Sequence, residues 1–271
     1  MEILKTAVVS SQSEFCAVDK NLNHFSTLIK KASATGAGLV CFPELALSCY
    51  TTHPNILEVA QKIPGPITEE LEALAKKFNT FLSIGAPEKT RGKFYIAQIV
   101  VGPNGYLGKY RKHFPTEPEQ ACGFSPGTSF PTFMIDGFKM GINICADGRR
   151  QKSIEMMKKA NVNFIHHPHG NYMGFGENAE LWTRGKSVYF VPRAIHARSY
   201  ILVNCSAGDV IEMGEKKSHS SGSMIIDPLG QIQKRTTQAT NTEKILTGEI
   251  IRPLSAVIPS FEMKRNSIRD R

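Results

Sequence analysis

A thiol, a carboxylate and an ammonium group stand just beyond the ends of three apolar segments of this 271-residue chain. The run Met140-Gly141-Ile142-Asn143-Ile144-Cys145 reads as a buried strand that stops at a cysteine, with Ala146-Asp147-Gly148 as the turn beyond it. Gly38-Leu39-Val40-Cys41 leads through Phe42-Pro43 to Glu44, and the extended stretch Tyr106 to Arg111 leads to Lys112. Strand ends are where α/β enzymes hold reactive groups, because the sheet is rigid and the turn after it is open. Together these three groups can attack and cleave a C–N bond. A cysteine attacks as thiolate, and an ordinary thiol with a pKa of about 8.5 needs a base to reach that form. Glu44 could take the proton if burial raises its pKa toward neutrality. Lys112 could hold the oxyanion of a tetrahedral intermediate, a contribution of about 3 kcal/mol for one well-placed donor. The backbone N–H of Ala146 is a second candidate donor.

The elements that must position these groups follow from hydrophobic period. Ile3 to Val9 reads as a central strand. A helix from Val18 to Ala34 carries Leu22, Phe25, Leu28 and Ile29 on one face and is closed by Gly36. The strand Leu39 to Phe42 completes a β-α-β unit that delivers Glu44. A helix begins near Pro66 with Thr68 as its cap and runs to Phe78, ahead of the strand Phe81 to Ala86. Hairpins join Phe94–Val101 to Tyr106–Arg111 through Pro103-Asn104-Gly105, and Thr132–Ile135 to Lys139–Ile142 through Asp136-Gly137. A helix from Gln151 to Ala160, a strand from Val162 to His166, a helix over Ser187 to Ser199 despite Pro192, and a strand over Ile201 to Asn204 come next. Ser223 to Ile226 and Ile245 to Ile250 are the last strands. Helices alternating with strands in two stretches, interrupted by hairpins, predict an α/β sandwich within a single domain covering residues 1–271.

Composition narrows the function. At 41% hydrophobic the chain can bury a large core. Its formal net charge is +9, but the basic residues are scattered and not interleaved with aromatics, which argues against a nucleic-acid surface. The basic tail Lys264 to Arg271 is the nearest approach to a patch, and an anionic small substrate is the better use of the charge. The six cysteines, at 16, 41, 49, 122, 145 and 205, show neither C-x-x-C pairs nor metal-ligand spacing. No apolar run approaches the roughly 20 residues that span a bilayer, and the first residues do not read as a signal peptide. The expectation is a cytoplasmic protein with free thiols, without membrane partner and without cofactor or metal. His166-His167-Pro168-His169 invites a metal reading. Neighbouring residues on a strand point to opposite faces, however, so no more than two of the three histidines would share an ion.

The motifs together resemble the nitrilase superfamily of carbon–nitrogen hydrolases, and the resemblance spans nearly the whole chain. Phe42-Pro43-Glu44, Tyr110-Arg111-Lys112-His113, and Cys145 after Gly141-x-x-Ile144 stand in the order in which that family supplies its base, lysine and nucleophile. Arg193-Ala194-Ile195 with Asn204, and Gly222 to Gly230, are two further family-like stretches. The resemblance implies a four-layer α-β-β-α sandwich, homodimers or larger assemblies, and a second glutamate ahead of Phe124-Ser125-Pro126-Gly127 that orients the substrate. Glu119 is the candidate for that role and Glu117 its rival. Two departures stand out: Gln151-Lys152 where the family commonly has Pro-Glu after the nucleophile, and His196-Ala197 where it has Glu-Asn. The Arg-Pro-x-x-Tyr ending usual in the family is also missing.

The expected substrate is a linear amide or an N-carbamoyl compound. Arg149 and Arg150 could grip a substrate carboxylate, and His169 and Asn171, in the loop that runs to Glu180, are further substrate-binding candidates. Trp182 and Phe175 could line the pocket, although aromatic residues more often build a core. A nitrile substrate is disfavoured because Ala146-Asp147 replaces the Trp-Glu that follows the cysteine in that branch. A binding protein that keeps the fold, and an acyltransferase that uses the same three groups, are the alternatives.

Overall fold

A computed structural model describes residues 1–174 and 177–252. The chain opens with β1 (Glu2–Ser10), which is followed by α1 (Val18–Ser33), β2 (Leu39–Cys41), α2 (Pro66–Phe78), β3 (Phe81–Thr90), β4 (Lys93–Gly102) and β5 (Gly105–Arg111). The second half runs α3 (Glu117–Cys122), β6 (Phe133–Ile135), β7 (Phe138–Ile142), α4 (Gln151–Lys159), β8 (Phe164–His169), α5 (Ala179–Ala197) and β9 (Tyr200–Cys205). It ends with β10 (Asp209–Glu212), β11 (Glu215–Ser218), β12 (Ser223–Ile226), β13 (Ile232–Arg235) and β14 (Lys244–Arg252).

Two six-stranded sheets result, ordered β14-β1-β2-β3-β4-β5 and β13-β12-β9-β8-β7-β6. Each has a parallel centre, β1-β2-β3 in one and β7-β8-β9 in the other, flanked by antiparallel strands. The period-2 alternation of the central strands sends side chains to two different interiors. In β1, Leu4 and Val8 enter a cluster shared with Ile142, Phe164 and Leu202 of the other sheet. Ala7 and Val9 point the opposite way, toward Leu22, Phe25, Ile29 and Leu71 of α1 and α2. On the far side, Ile165, Ile201 and Val203 meet Ile154, Trp182 and Phe190 of α4 and α5. The layers are therefore α-β-β-α. Burying one Leu, Ile or Phe side chain in such an interior contributes about 1.5–3 kcal/mol, so Phe25→Asp would unseat α1.

A polar clamp joins the sheets near the ends of β1 and β2. Asn204 Nδ2 donates to the carbonyls of Val9 (2.8 Å) and Cys41 (2.9 Å), and its Oδ1 faces His166 Nε2 at 3.1 Å. The other nitrogen of His166 lies 2.9 Å from Ser83 Oγ, so Asn204 and His166 lock the registers of the strands that carry Glu44 and the His169 loop.

The predicted elements differ from the observed ones in a few places. Helix α5 starts at Ala179, eight residues before the sequence pattern suggests, because Asn178 Oδ1 accepts the Leu181 N–H at 2.9 Å and caps it. Strand β8 continues to His169, since Pro168-His169 pair with Asn204-Cys205 of β9. Thr68 is not the cap of α2: Gly65 is, and Thr68 Oγ1 reaches back to the Gly65 N–H at 3.3 Å. The polar strands β10, β11 and β13 and the short α3 were not predicted, having no apolar period to reveal them. No helix among the described residues is long and apolar enough to cross a membrane. The basic tail after Lys264 lies outside the described residues.

Candidate active site

Glu44 sits in the tight turn after β2, where Leu45 adopts a left-handed backbone (φ 52°). The turn is pressed onto Gly85 of β3, where an added Cβ would lie 2.3 Å from Leu45 N and 2.4 Å from Pro43 O. Any other residue at 85 would push the Glu44 carboxylate out of place. That carboxylate is completely buried, and its Oε2 accepts the N–H of Gly170 at 3.1 Å.

Lys112 follows β5 and is held by main-chain bonds to Ile96 O and from Gly127 N, both 2.8 Å. Its buried Nζ donates to Glu44 Oε1 and to Glu119 Oε1, each at 2.7 Å. An ammonium has three N–H groups, so the third remains for a substrate oxygen. Glu119 Oε1 also accepts from Tyr50 OH at 2.9 Å, and its Oε2 caps α3 through Thr116 N at 2.8 Å. Of the two candidate glutamates, the structure brings Glu119 to Lys112 and leaves Glu117 exposed. The helical phase of α3 makes that choice.

Cys145 begins a single 3-10 turn, Cys145–Arg149, with a left-handed backbone (φ 44°) that is strained for a side chain with a Cβ. Such conformations persist only where neighbours enforce them, and here Asp147 does so. Its Oδ2 accepts from Tyr110 OH (2.7 Å) and Ile144 N (3.1 Å), and its Oδ1 from His113 N (3.0 Å) and Phe114 N (2.7 Å). One buried carboxylate thus pins the cysteine turn to the loop that carries Lys112. Arg193 of α5 adds a bond from Nε to the Gly148 carbonyl, which accounts for the Arg193 motif.

Beside Cys145 opens a cavity of about 250 Å3 lined by Arg149, His169, Gly185, Lys186, Tyr189 and Phe190. Larger surface grooves exist elsewhere, such as that along β1 and β14, but Cys145 lines none of them. Arg149 and His169 therefore lie where a substrate would. Asn171 stands behind them: its Oδ1 is 2.8 Å from His169 Nδ1 and 4.0 Å from Cys145 Sγ. Arg150 does not join Arg149. Its backbone is extended (φ −94°, ψ 124°) where it caps α4, and its guanidinium lies 5.5 Å from the Phe114 ring. Arg149 thus lines the cavity, while Arg150, beyond the end of the 3-10 turn, turns toward Phe114. Trp182 is buried in the core against α4 and β9 with its edge toward His169, and Phe175 lies outside the described residues. His166 faces the sheet interface while His167 and His169 face α5, and among the described residues no three His, Cys, Asp or Glu side chains gather as a metal site would require.

Burial pushes the Glu44 carboxyl up to about 7, with Glu119 adding to the rise and Lys112 opposing it. Burial alone would lower Lys112, but the carboxylate of Glu44, the sulfur of Cys145 and Glu119 together raise it, so it stays a cation. Burial, then the charge of Glu44, raises the Cys145 thiol well above its ordinary value, with Lys112 pulling the other way. The arrangement at neutral pH is a neutral thiol, a half-ionised carboxyl and a fixed ammonium. It can attack a carbonyl carbon, move one proton and stabilise one oxyanion.

Sequence reasoning missed Tyr50, Asp147, Gly170, Lys186 and Tyr189. Only Asp147 left a trace, as an acid inside an otherwise apolar and small-residue run. The family departures converge: Gln151 Nε2 and His196 Nε2 both contact Glu155 Oε1, at 2.6 and 2.7 Å. They form an exposed link between α4 and α5, away from the cavity.

The carbon–nitrogen hydrolase family profile matches residues 5–258. The chain is 31% identical over 244 residues to an omega-amidase NIT2 of Xenopus tropicalis, covering 85% of this chain and 83% of the relative. It is 34% identical over 181 residues to a nitrilase of Pyrococcus abyssi, covering 65% of this chain and 69% of the relative. The crystal structure of a carbon–nitrogen hydrolase from Helicobacter pylori superposes with a TM-score of 0.79 at 20% identity, over 92% of this chain and 90% of that one. The α-β-β-α layering, the order of the strand-end motifs and the profile agree: the chain belongs to the carbon–nitrogen hydrolase family of the nitrilase superfamily.

Proposed function

We propose that the protein is a cysteine-dependent amidase that hydrolyses a linear, non-peptide amide to a carboxylic acid and ammonia. One observation carries this reading: Lys112 Nζ is shared between two buried carboxylates, Glu44 and Glu119, at 2.7 Å each, and the charges of all three act on the Cys145 thiol. Glu44 takes the Cys145 proton as sulfur attacks the amide carbon. The developing oxyanion is met by the free N–H of Lys112 and by the N–H of Ala146. Glu44 returns the proton to the nitrogen as the C–N bond breaks, leaving a thioester on Cys145. It then takes a proton from water, whose oxygen attacks the thioester, and the C–S bond breaks as the thiol regains its proton. Glu119 holds Lys112 from the far side and is itself held by Tyr50 and the α3 cap.

Arg149 and Lys186 on the cavity wall favour an acyl chain with a carboxylate at its far end, which agrees with the omega-amidase name of the Xenopus relative. The test is ammonia release from aliphatic amides, monoamides of dicarboxylic acids, and N-carbamoyl amino acids and amines, with Cys145→Ala as control. Release from the monoamides that vanishes in Cys145→Ala is the expected result. Release confined to carbamoyl compounds would replace the amide with a carbamoyl substrate. No release from folded protein would overturn hydrolysis.

A further inference from the structure

His169 is 4% exposed and forms part of the cavity wall beside Cys145. Its ring packs nearly perpendicular to those of Trp182 and Phe190, with centroids 5.4 and 5.7 Å away. Nδ1 faces Asn171 Oδ1 at 2.8 Å. A carbonyl oxygen only accepts, so the ring proton sits on Nδ1 and Nε2 presents a lone pair. That lone pair meets no hydrogen-bond partner among the described residues.

Buried acceptors are almost always satisfied, so one left open beside a candidate nucleophile points to a ligand. The neighbouring His167 also has an open Nε2, but Gly148 covers it: a Cβ there would lie 2.0 Å from that nitrogen. Only the His169 ring belongs to the cavity wall. Burial holds the His169 imidazole well below its ordinary pKa, and neighbouring His167 and Lys186 act the same way. The ring is therefore a neutral acceptor, and the charge that would meet a carboxylate belongs to Arg149 and Lys186.

We propose that His169 is a specificity-determining residue whose Nε2 accepts a hydrogen bond from an O–H or N–H on the acyl part of the substrate. The site then prefers amides of hydroxy or amino acids over otherwise identical amides that lack the donor. The N–H groups of the departing nitrogen are common to every amide compared, so a preference among acyl parts reports the acyl donor alone. This assignment rests on the amidase reading above and narrows its substrate class.

The experiment compares kcat/KM for the monoamide of glutaric acid with derivatives bearing a hydroxyl or amino group beside the acid or beside the amide. In the wild-type protein at least one donor-bearing isomer is expected to be preferred by about 10-fold or more, since a site built around a substrate donor rejects the analogue without it. The preference should collapse toward one in His169→Phe and return in part in His169→Gln, whose amide oxygen restores an acceptor. Circular dichroism reports whether each variant is folded, and His169→Leu replaces His169→Phe if the latter is not. A flat ratio in the wild type, or a preference that survives His169→Phe, would overturn the assignment while leaving the amidase reading intact. Failure of every amide, or hydrolysis by Cys145→Ala, would overturn that reading and the assignment with it.

Discussion

Replacing Glu119 by glutamine should move the acid limb of the pH–rate profile to lower pH. In the proposed mechanism Glu44 must be ionised to receive the Cys145 proton, and its carboxyl is pushed up to about 7, by burial first and by the Glu119 charge in addition. The Oε1 atoms of the two glutamates are each 2.7 Å from Lys112 Nζ, so they stand no farther apart than twice that distance. At such a separation and an effective dielectric constant of about 20, two like charges repel by about 3 kcal/mol, roughly two pKa units. Residual polarity of the amide and the intervening ammonium offset part of this, which leaves an expected downward shift of at least about one unit. Glutamine keeps an acceptor for Lys112 and Tyr50 but turns its amide nitrogen toward the Thr116 N–H, which costs about 1 kcal/mol of stability. The assay is kcat/KM for ammonia release from pH 5 to 8.5, each profile normalised to its own plateau. Wild-type activity at pH 6 should stand about tenfold below its plateau, and the variant should have recovered to about half of its own. An acid limb that stays where it is, or moves to higher pH, would refute the placement of Glu119 as the charge that helps hold Glu44 near neutrality.

Two further outcomes follow from the buried polar groups. Asp147→Ala orphans the donors of Ile144, His113, Phe114 and Tyr110, so urea unfolding should show a loss of about 3–5 kcal/mol; kcat should fall at least about 100-fold as the cysteine turn drifts from the Lys112 loop, and a variant with unaltered kcat would remove Asp147 from the positioning of the turn. Acid should unfold the protein through its buried histidines, which burial holds at about 4 (His166), about 3 (His167) and about 4 (His219). The unfolded chain binds those protons near pH 6.5, so the stability they contribute is complete above that pH and is lost as pH falls toward 4, at about 1.4 kcal/mol per unit and group. Glu44 and Asp147, both raised by burial, work with the opposite sign, but they are two groups against four, since burial also holds His169 well below its ordinary range. A urea midpoint that stays constant from pH 6.5 to 4.5 would refute the neutral burial of these rings.

Much of the architecture was legible in local pattern. Period-2 and period-3.6 apolar spacing revealed β1, α1, β4 and α4 to within a residue or two, because the faces they bury are continuous in sequence. Strands β10, β11 and β13 escaped, since they are only four residues each and show no sustained apolar alternation. The start of α5 was misplaced because its cap, Asn178, lies ahead of a stretch whose apolar residues show no clean face.

The chain by itself singled out the three candidate groups, since Glu44, Lys112 and Cys145 each follow a strand that its own residues define, and a strand end fixes a side chain's address without reference to the rest of the fold. The tertiary structure alone decided how those addresses meet. Glu44 and Lys112 are 68 positions apart in the chain, and Gly170 is 126 from Glu44, so their contact depends on sheet order and on the inter-sheet clamp of Asn204 and His166. It also chose Glu119 over Glu117 by the phase of α3, Arg149 over Arg150 by the end of a 3-10 turn, and Asp147 as the tie between two loops. Such choices turn on rotations and offsets of a few ångströms between packed elements, which hydrophobic period leaves undefined and close packing makes unique.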